Sequence, residues 1–147
     1  MAMSSHENPT CYVIGTESLL IQCSEVLLRE GFEVLGVVSS DPAIRRWAGE
    51  KRLGLFDLDA SLPRALESRA FDYLFSIANL AILPAGLLAL PRKGAINFHD
   101  GPLPRYAGLH ATSWAILERE RSHGVTWHSI DGGIDEGDIL EQELFDL

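Results

Sequence analysis

An open α/β sheet, mostly parallel and with helices on both faces, is the fold class this sequence predicts. Two observations carry it. The first is a strand–helix–strand unit compressed into residues 11–40; strands joined by a crossover helix have to run parallel. The second is that the same alternation of apolar runs and amphipathic segments continues along the chain, with no repeat, low-complexity tract or linker. At 147 residues the chain is long enough for one core and too short for two. The expected organisation is a flexible tail over residues 1–10 followed by one domain over 11–147.

Each element has its own signal. CYVIG, at 11–15, is a short apolar run closed by a glycine and reads as a core strand. Over 17–30, Leu19 or Leu20, Cys23, and Val26 or Leu27 recur at helical spacing, and Gly31 stops the helix. FEVLGVVSS, at 32–40, is the next strand. Residues 43–52 and 61–69 read as helices, the second with Ser61 at its N-cap. A strand at 71–77, a short helix at 84–90, a strand at 94–99 and a helix at 109–121 follow. Two further strands, 124–130 and 139–145, are joined by the acidic loop DGGIDEGD at 131–138. The last strand ends the chain with no helix to cover it, so the expectation is a C-terminally truncated piece of a longer polypeptide.

Composition excludes several functions. The formal net charge is −9 and the longest basic runs are pairs such as Arg45-Arg46, which disfavours a nucleic-acid partner because phosphate neutralisation needs clustered cations. The longest apolar run, 77–91, is broken by Asn79, Pro84 and Gly86 and is too short to span a bilayer, so no membrane partner is expected. The N-terminus lacks the basic and apolar regions of an export signal. Cys11 in a strand and Cys23 on an apolar helix face read as buried free thiols of a cytoplasmic protein. Trp47, Trp114 and Trp127 read as core or interface aromatics.

The chemistry concentrates where the strand at 94–99 leaves the core. Alternate residues of a strand share a face, so Asn97 and His99 point the same way and Phe98 points into packing. An amide beside an imidazole at a strand's carboxyl end suits work on a carbonyl: the amide can stabilise a developing oxyanion and the imidazole can move a proton. An N-x-H on a strand is also compatible with a purely structural role, and Asp100-Gly101 reads as a turn. The second acidic loop strengthens the functional reading, because Asp131 or Asp135 can face His99 across the crevice and orient its ring. That loop lacks the calcium-binding spacing of an EF-hand, and the histidines at 6, 99, 110, 123 and 128 show no zinc pattern, so no metal is expected. The first strand–helix turn, GTES, lacks the glycine fingerprint of a dinucleotide site, and Glu17 in it repels phosphate. No G-x-S-x-G elbow is present for a serine hydrolase. His128 reads as a strand residue with a local hydrogen-bond partner.

The combination of N-x-H, LPRYAG, GVTWHSID and GIDEGDIL resembles the catalytic domain of the 10-formyltetrahydrofolate-dependent formyltransferase family, over roughly residues 11–147. A closer likeness, carried by 14–28, 72–84 and 97–116, is to the formyltransferase-like domains that open nonribosomal peptide and hybrid polyketide synthetases. The resemblance implies a Rossmann-like formyltransferase fold and a catalytic set of Asn97, His99 and Asp135. It implies an enzyme that moves a formyl group from 10-formyltetrahydrofolate to a primary amine, on a small molecule or on a carrier-tethered intermediate, beside other domains of a synthetase chain. Asn97 would meet the oxyanion and His99 would manage protons, while Asp135 holds His99 and favours its protonated form. The folate would lie against Leu80, Ile82, Leu83 and Leu88, with Asp131, Gly132, Gly133 and Ile134 closing over it. An amino-sugar nucleotide formyltransferase, a formate-releasing hydrolase and a non-catalytic docking module of a megasynthase are the alternatives.

Overall fold

The computed structural model describes residues 7–147, and the elements below are those of the described residues. In chain order they are β1 (Thr10–Ile14), α1 (Ser18–Arg29), β2 (Glu33–Val38), α2 (Pro42–Glu50), β3 (Gly54–Phe56), α3 (Leu62–Glu67), β4 (Tyr73–Ser76), α4 (Ala85–Leu88), β5 (Gly94–His99), α5 (Ala111–Leu117), β6 (Ser122–Ser129) and β7 (Ile139–Asp146). The strands form one sheet in the order β3-β2-β1-β4-β5-β6-β7. The pairings from β3 across to β5 are parallel, and β5–β6 and β6–β7 are antiparallel. The expected α/β fold, mostly parallel and helix-covered on both faces, is the fold observed.

Alternation along β1 explains the two layers. Cys11 and Val13 point to one face, where they pack with Leu20 of α1 and Ile44 and Ala48 of α2. Tyr12 and Ile14 point to the other, against Leu62 and Leu66 of α3 and Leu87 of α4. Each of these fully buried aliphatic side chains contributes about 1.5–3 kcal/mol. On the second face the Tyr12 ring meets Phe71 edge-on at a centroid distance of 4.8 Å.

The helix ends follow local chemistry. Gly31 takes a φ of 88°, and the Phe32 and Gly31 amides then return to the Leu27 and Leu28 carbonyls, satisfying two orphan acceptors at the end of α1. Asp41 caps α2, accepting from the Ala43 and Ile44 amides at 2.8 and 3.1 Å. Ser61 does precede α3, but its side chain makes no capping bond. Asp59 instead accepts from the Ser61 hydroxyl and from the Ser61 amide, the latter at 2.8 Å, and the hydroxyl first, then the amide, hold the Asp59 carboxyl below its usual range.

Several expectations need correction. β3 has no counterpart among the expected elements, because it is three residues long at the sheet's edge and too short to show a period. The helices expected at 84–90 and 109–121 contract to α4 and α5, the latter starting after His110, which sits in the left-handed region at φ 61°. The first six residues of the expected tail lie outside the described residues. Its last two are tied down: the Pro9 carbonyl accepts from the Glu33 amide at 2.8 Å, and Thr10 opens β1. Cys11 is buried and burial pushes its thiol up to about 12, whereas Cys23 is only half-buried, lining an apolar cavity of about 340 Å³ between α1 and the sheet. Trp47 and Trp127 are half-buried, and Trp114 is exposed on α5. Among the described residues no helix is long and apolar enough to cross a membrane.

Candidate active site

A cavity of about 990 Å³ opens at the carboxyl ends of the parallel strands, where α/β sheets generally present their ligand sites. Asn97 and His99 enter it from β5, as the strand alternation requires, and Phe98, which also borders the cavity, packs its ring edge-on against Trp127 at 5.2 Å. Asp135 enters from the β6–β7 loop. The stem of that loop is held by reciprocal backbone and hydroxyl contacts between Ser129 and Asp138, each at 2.9 Å.

The three side chains converge. Asp135 Oδ2 lies 3.4 Å from His99 Nδ1 and accepts from the Gly108 amide at 2.8 Å. Its other oxygen, Oδ1, lies 3.3 Å from Nε2 of His128, so one carboxylate stands between two imidazoles. Asp135 itself takes a φ of 53°, a left-handed conformation that costs a non-glycine residue energy and concentrates at functional sites.

Hydrogen bonding assigns the ring protons. His99 Nε2 is 2.7 Å from the Tyr106 carbonyl, which can only accept, so Nε2 carries hydrogen. Nδ1, facing Asp135, is therefore the nitrogen of His99 left to take up and release a proton. With the ring only 5% exposed, that exchange is confined to the cavity side. By the same reasoning His128 Nδ1, 2.8 Å from the Ser129 carbonyl, carries hydrogen and its Nε2 is bare in the neutral ring. Asn97 Nδ2 donates to that bare nitrogen at 3.2 Å and to the Phe98 carbonyl at 3.1 Å.

Tyr106 sets the carbonyl that holds His99. It sits in the left-handed region at φ 59°, and its phenol donates to Glu118 Oε2 at 2.6 Å and Glu120 Oε1 at 2.8 Å. The hydrogen bond to Glu118, then desolvation, then the bond to Glu120 push the phenol's ionisation well above its usual range. Arg105 pairs with the same Glu120. The LPRYAG loop is thus fastened to the segment that follows α5, and His99 is positioned through it.

The remaining expected residues divide. Leu80, Ile82, Leu83, Leu88, Gly132, Gly133 and Ile134 line the cavity. Leu80 and Ile82 are each 79% exposed there, aliphatic surface that a flat apolar ligand ring would cover. Asp131 is exposed and stands outside the lining; of the two aspartates weighed against His99, Asp135 is the one in contact. Asp100 turns the chain as expected but also lines the cavity, with Oδ1 3.9 Å from His99 Nδ1. His128 is the residue that sequence reasoning left as a strand residue. The signal that finds it is the β5–β6 register, which sets it directly opposite Asn97. Among the described residues, no group of three or more His, Cys, Asp or Glu is placed to hold a metal ion.

Residues 50–146 match the family model described as formyl transferase. The chain is 33% identical over 150 residues to a methionyl-tRNA formyltransferase of Anaeromyxobacter dehalogenans, covering 91% of this chain and 48% of that protein. It therefore spans about half the length of the curated relatives it matches. Among solved structures it superposes on the phosphoribosylglycinamide formyltransferase of Streptococcus pneumoniae with a TM-score of 0.82, at 22% identity, over 95% of this chain and 83% of that one. A formyltetrahydrofolate deformylase of Pseudomonas syringae gives 0.84 at 20% identity, over 98% of this chain and 53% of that one. These two likenesses are of fold.

Proposed function

The chain belongs to the formyl transferase family, and from that premise we propose that it transfers a formyl group from 10-formyltetrahydrofolate to a primary amine carried on an intermediate of a nonribosomal peptide or polyketide assembly line. The observation that carries the reading is the Asp135 carboxylate set 3.4 Å from His99 Nδ1, beside Asn97, in a cavity with an apolar wall. Bound there, the folate supplies an activated formyl carbon on a nitrogen leaving group. Leu80, Ile82, Leu83, Leu88 and Ile134 take its ring system.

The residues divide the work as follows. As the amine adds, negative charge gathers on the formyl oxygen, and an Asn97 N–H aimed at it is worth about 3 kcal/mol. The adding nitrogen must lose a proton and the departing folate nitrogen must gain one. His99 Nδ1 is the group placed to hand that proton across, and such assistance contributes about 10² to 10⁴ in rate. The Tyr106 carbonyl keeps the ring in the tautomer with hydrogen on Nε2, and Asp135, facing Nδ1, orients the ring and balances the imidazolium when it forms.

Charge supports this acceptor. Glu17, Asp100 and Asp135 are the acids lining the cavity, and among the described residues no lysine or arginine lines it. An acceptor whose phosphates enter this cavity is therefore opposed, whereas an amine on a pantetheine-like arm keeps its phosphate distant. The 33% identity to a methionyl-tRNA formyltransferase favours a second reading, with an aminoacyl-tRNA amine as acceptor; the chain's net charge of −9 weighs against it.

The test is tetrahydrofolate release measured with aminoacyl carrier protein, methionyl-tRNA, glycinamide ribonucleotide and an amino-sugar nucleotide in turn. Release that depends on the carrier-bound amine supports the proposal. Release driven by methionyl-tRNA instead replaces the acceptor, and no release with any amine overturns the transferase reading.

A further inference from the structure

Both amide hydrogens of Asn97 are committed within the protein, one to the Phe98 carbonyl at 3.1 Å and one to His128 Nε2 at 3.2 Å. A group that stabilises an oxyanion has to turn an N–H toward the substrate, so one of these bonds must give way. The bond to Phe98 is made to a neighbouring carbonyl that always accepts. The bond to His128 exists only while Nε2 is bare.

We propose that His128 is a positioning residue that withholds the Asn97 amide hydrogen while its ring is neutral and releases it when Nε2 takes a proton. With hydrogen on Nδ1 fixed by the Ser129 carbonyl at 2.8 Å, a second proton can only go to Nε2. Nε2 then stops accepting and donates to Asp135 Oδ1, already 3.3 Å away. The freed Asn97 N–H faces the cavity. The inference rests on the formyl-transfer reading in one respect: the released hydrogen is the one the formyl oxygen receives.

The surroundings are consistent with this role. The groups facing the His128 ring are Asn97 from β5, Asp135 from the β6–β7 loop and the Ser129 carbonyl, with Ile139 opposite on β7. His99 holds the far oxygen of the same Asp135, so the charge state of one imidazole is felt by the other through a shared carboxylate. The Ser129 carbonyl is held in place by a backbone approach that excludes a side chain: a Cβ on Gly137 would lie 1.6 Å from that oxygen.

Two measurements test the inference. In the ¹⁵N-histidine-labelled protein, neutral His128 is expected as the Nδ1–H tautomer with a bare, hydrogen-bonded Nε2; an Nε2–H tautomer overturns the proposal. This result stands whether or not the protein transfers formyl groups, so it separates failure of the inference from failure of the functional reading. In the transfer assay, His128→Gln presents a permanent acceptor that cannot be protonated and keeps Asn97 tied. Its kcat is expected to fall about 10²-fold, the effect of losing one oxyanion donor, with donor KM within about threefold of wild type. The His128 ionisation is expected to vanish from its kcat–pH profile. His128→Ala leaves nothing to hold the amide and is expected to retain more activity than His128→Gln. A purely space-filling His128 gives the opposite order, with Gln the better substitute, and that order overturns the proposal. Should His128→Ala fail to fold, the pH profile of His128→Gln decides with the tautomer: an unchanged profile sinks the inference.

Discussion

Replacing Asp135 by asparagine removes a charge while leaving an oxygen for the Gly108 amide that Asp135 now accepts at 2.8 Å. The carboxylate faces His99 Nδ1 at 3.4 Å. A unit-charge pair at that separation is worth about 5 kcal/mol at an effective dielectric of about 20. Desolvation of a carboxylate whose side chain is 12% exposed offsets part of this. A net loss of about 3–4 kcal/mol from the step in which His99 carries the proton lowers kcat by about 10² to 10³. The assay is single-turnover formyl transfer with both substrates saturating, paired with a thermal melt. Asp135→Asn should melt near the wild type, whereas Asp135→Ala also loses the Gly108 bond and about 1–2 kcal/mol of stability. A kcat for Asp135→Asn within about threefold of wild type would refute the role given to this carboxylate.

Tyr106→Phe loses the hydrogen bonds to Glu118 and Glu120 and loosens the carbonyl behind His99; kcat should drop about tenfold with little change in melting temperature, since small misplacements at a reacting centre are costly. An unchanged kcat would show that the loop holds without the phenol. Gly15→Ala places a Cβ 1.8 Å from the Ile77 carbonyl, backbone that cannot yield, so the variant should lose several kcal/mol in urea unfolding, about the largest class of single-site effects. Asp72 is held below the usual carboxylate range chiefly by the Thr10 amide, then by Arg92. Its lowered folded value makes its contribution fully present above the unfolded carboxylate range and lost as pH falls through the folded value. The melting-temperature gap between wild type and Asp72→Asn should therefore be widest near neutrality and close in acid; a gap independent of pH contradicts this. Cys11, with its thiol pushed up to about 12, should resist alkylation in the folded protein at pH 8 and react only on unfolding, which mass spectrometry reads directly.

Much of this molecule is written in local pattern. Asn97 and His99 could be placed on one face from strand alternation alone, and β1, α1 and β2 from the change of period between residues 11 and 40. What escaped depends on register and on irregular backbone. His128 joins the site because β6 runs antiparallel to β5 with Asn97 opposite it, and nothing near His128 in sequence announces that pairing. A register shift between Trp127 and His128 then decides what faces β7. The choice between Asp131 and Asp135 is made by a loop with Gly132 and Asp135 both at positive φ, a path without a period to read. β3 is too short to carry a pattern. The resemblance to formyltransferases singles out Asp135 where physical pattern leaves two aspartates open, and Asp135 is the one in contact with His99.

The central claim is that Asn97, His99 and Asp135 serve transfer to an amine rather than to water. The measurement that tests it most directly is the fate of a labelled formyl group on 10-formyltetrahydrofolate incubated with the protein and an aminoacyl carrier protein. Label recovered on the amine, at a rate lowered about 10²- to 10³-fold in Asp135→Asn, and absent without the amine, is the predicted result. Label released as formate at the same rate with or without the amine would contradict it.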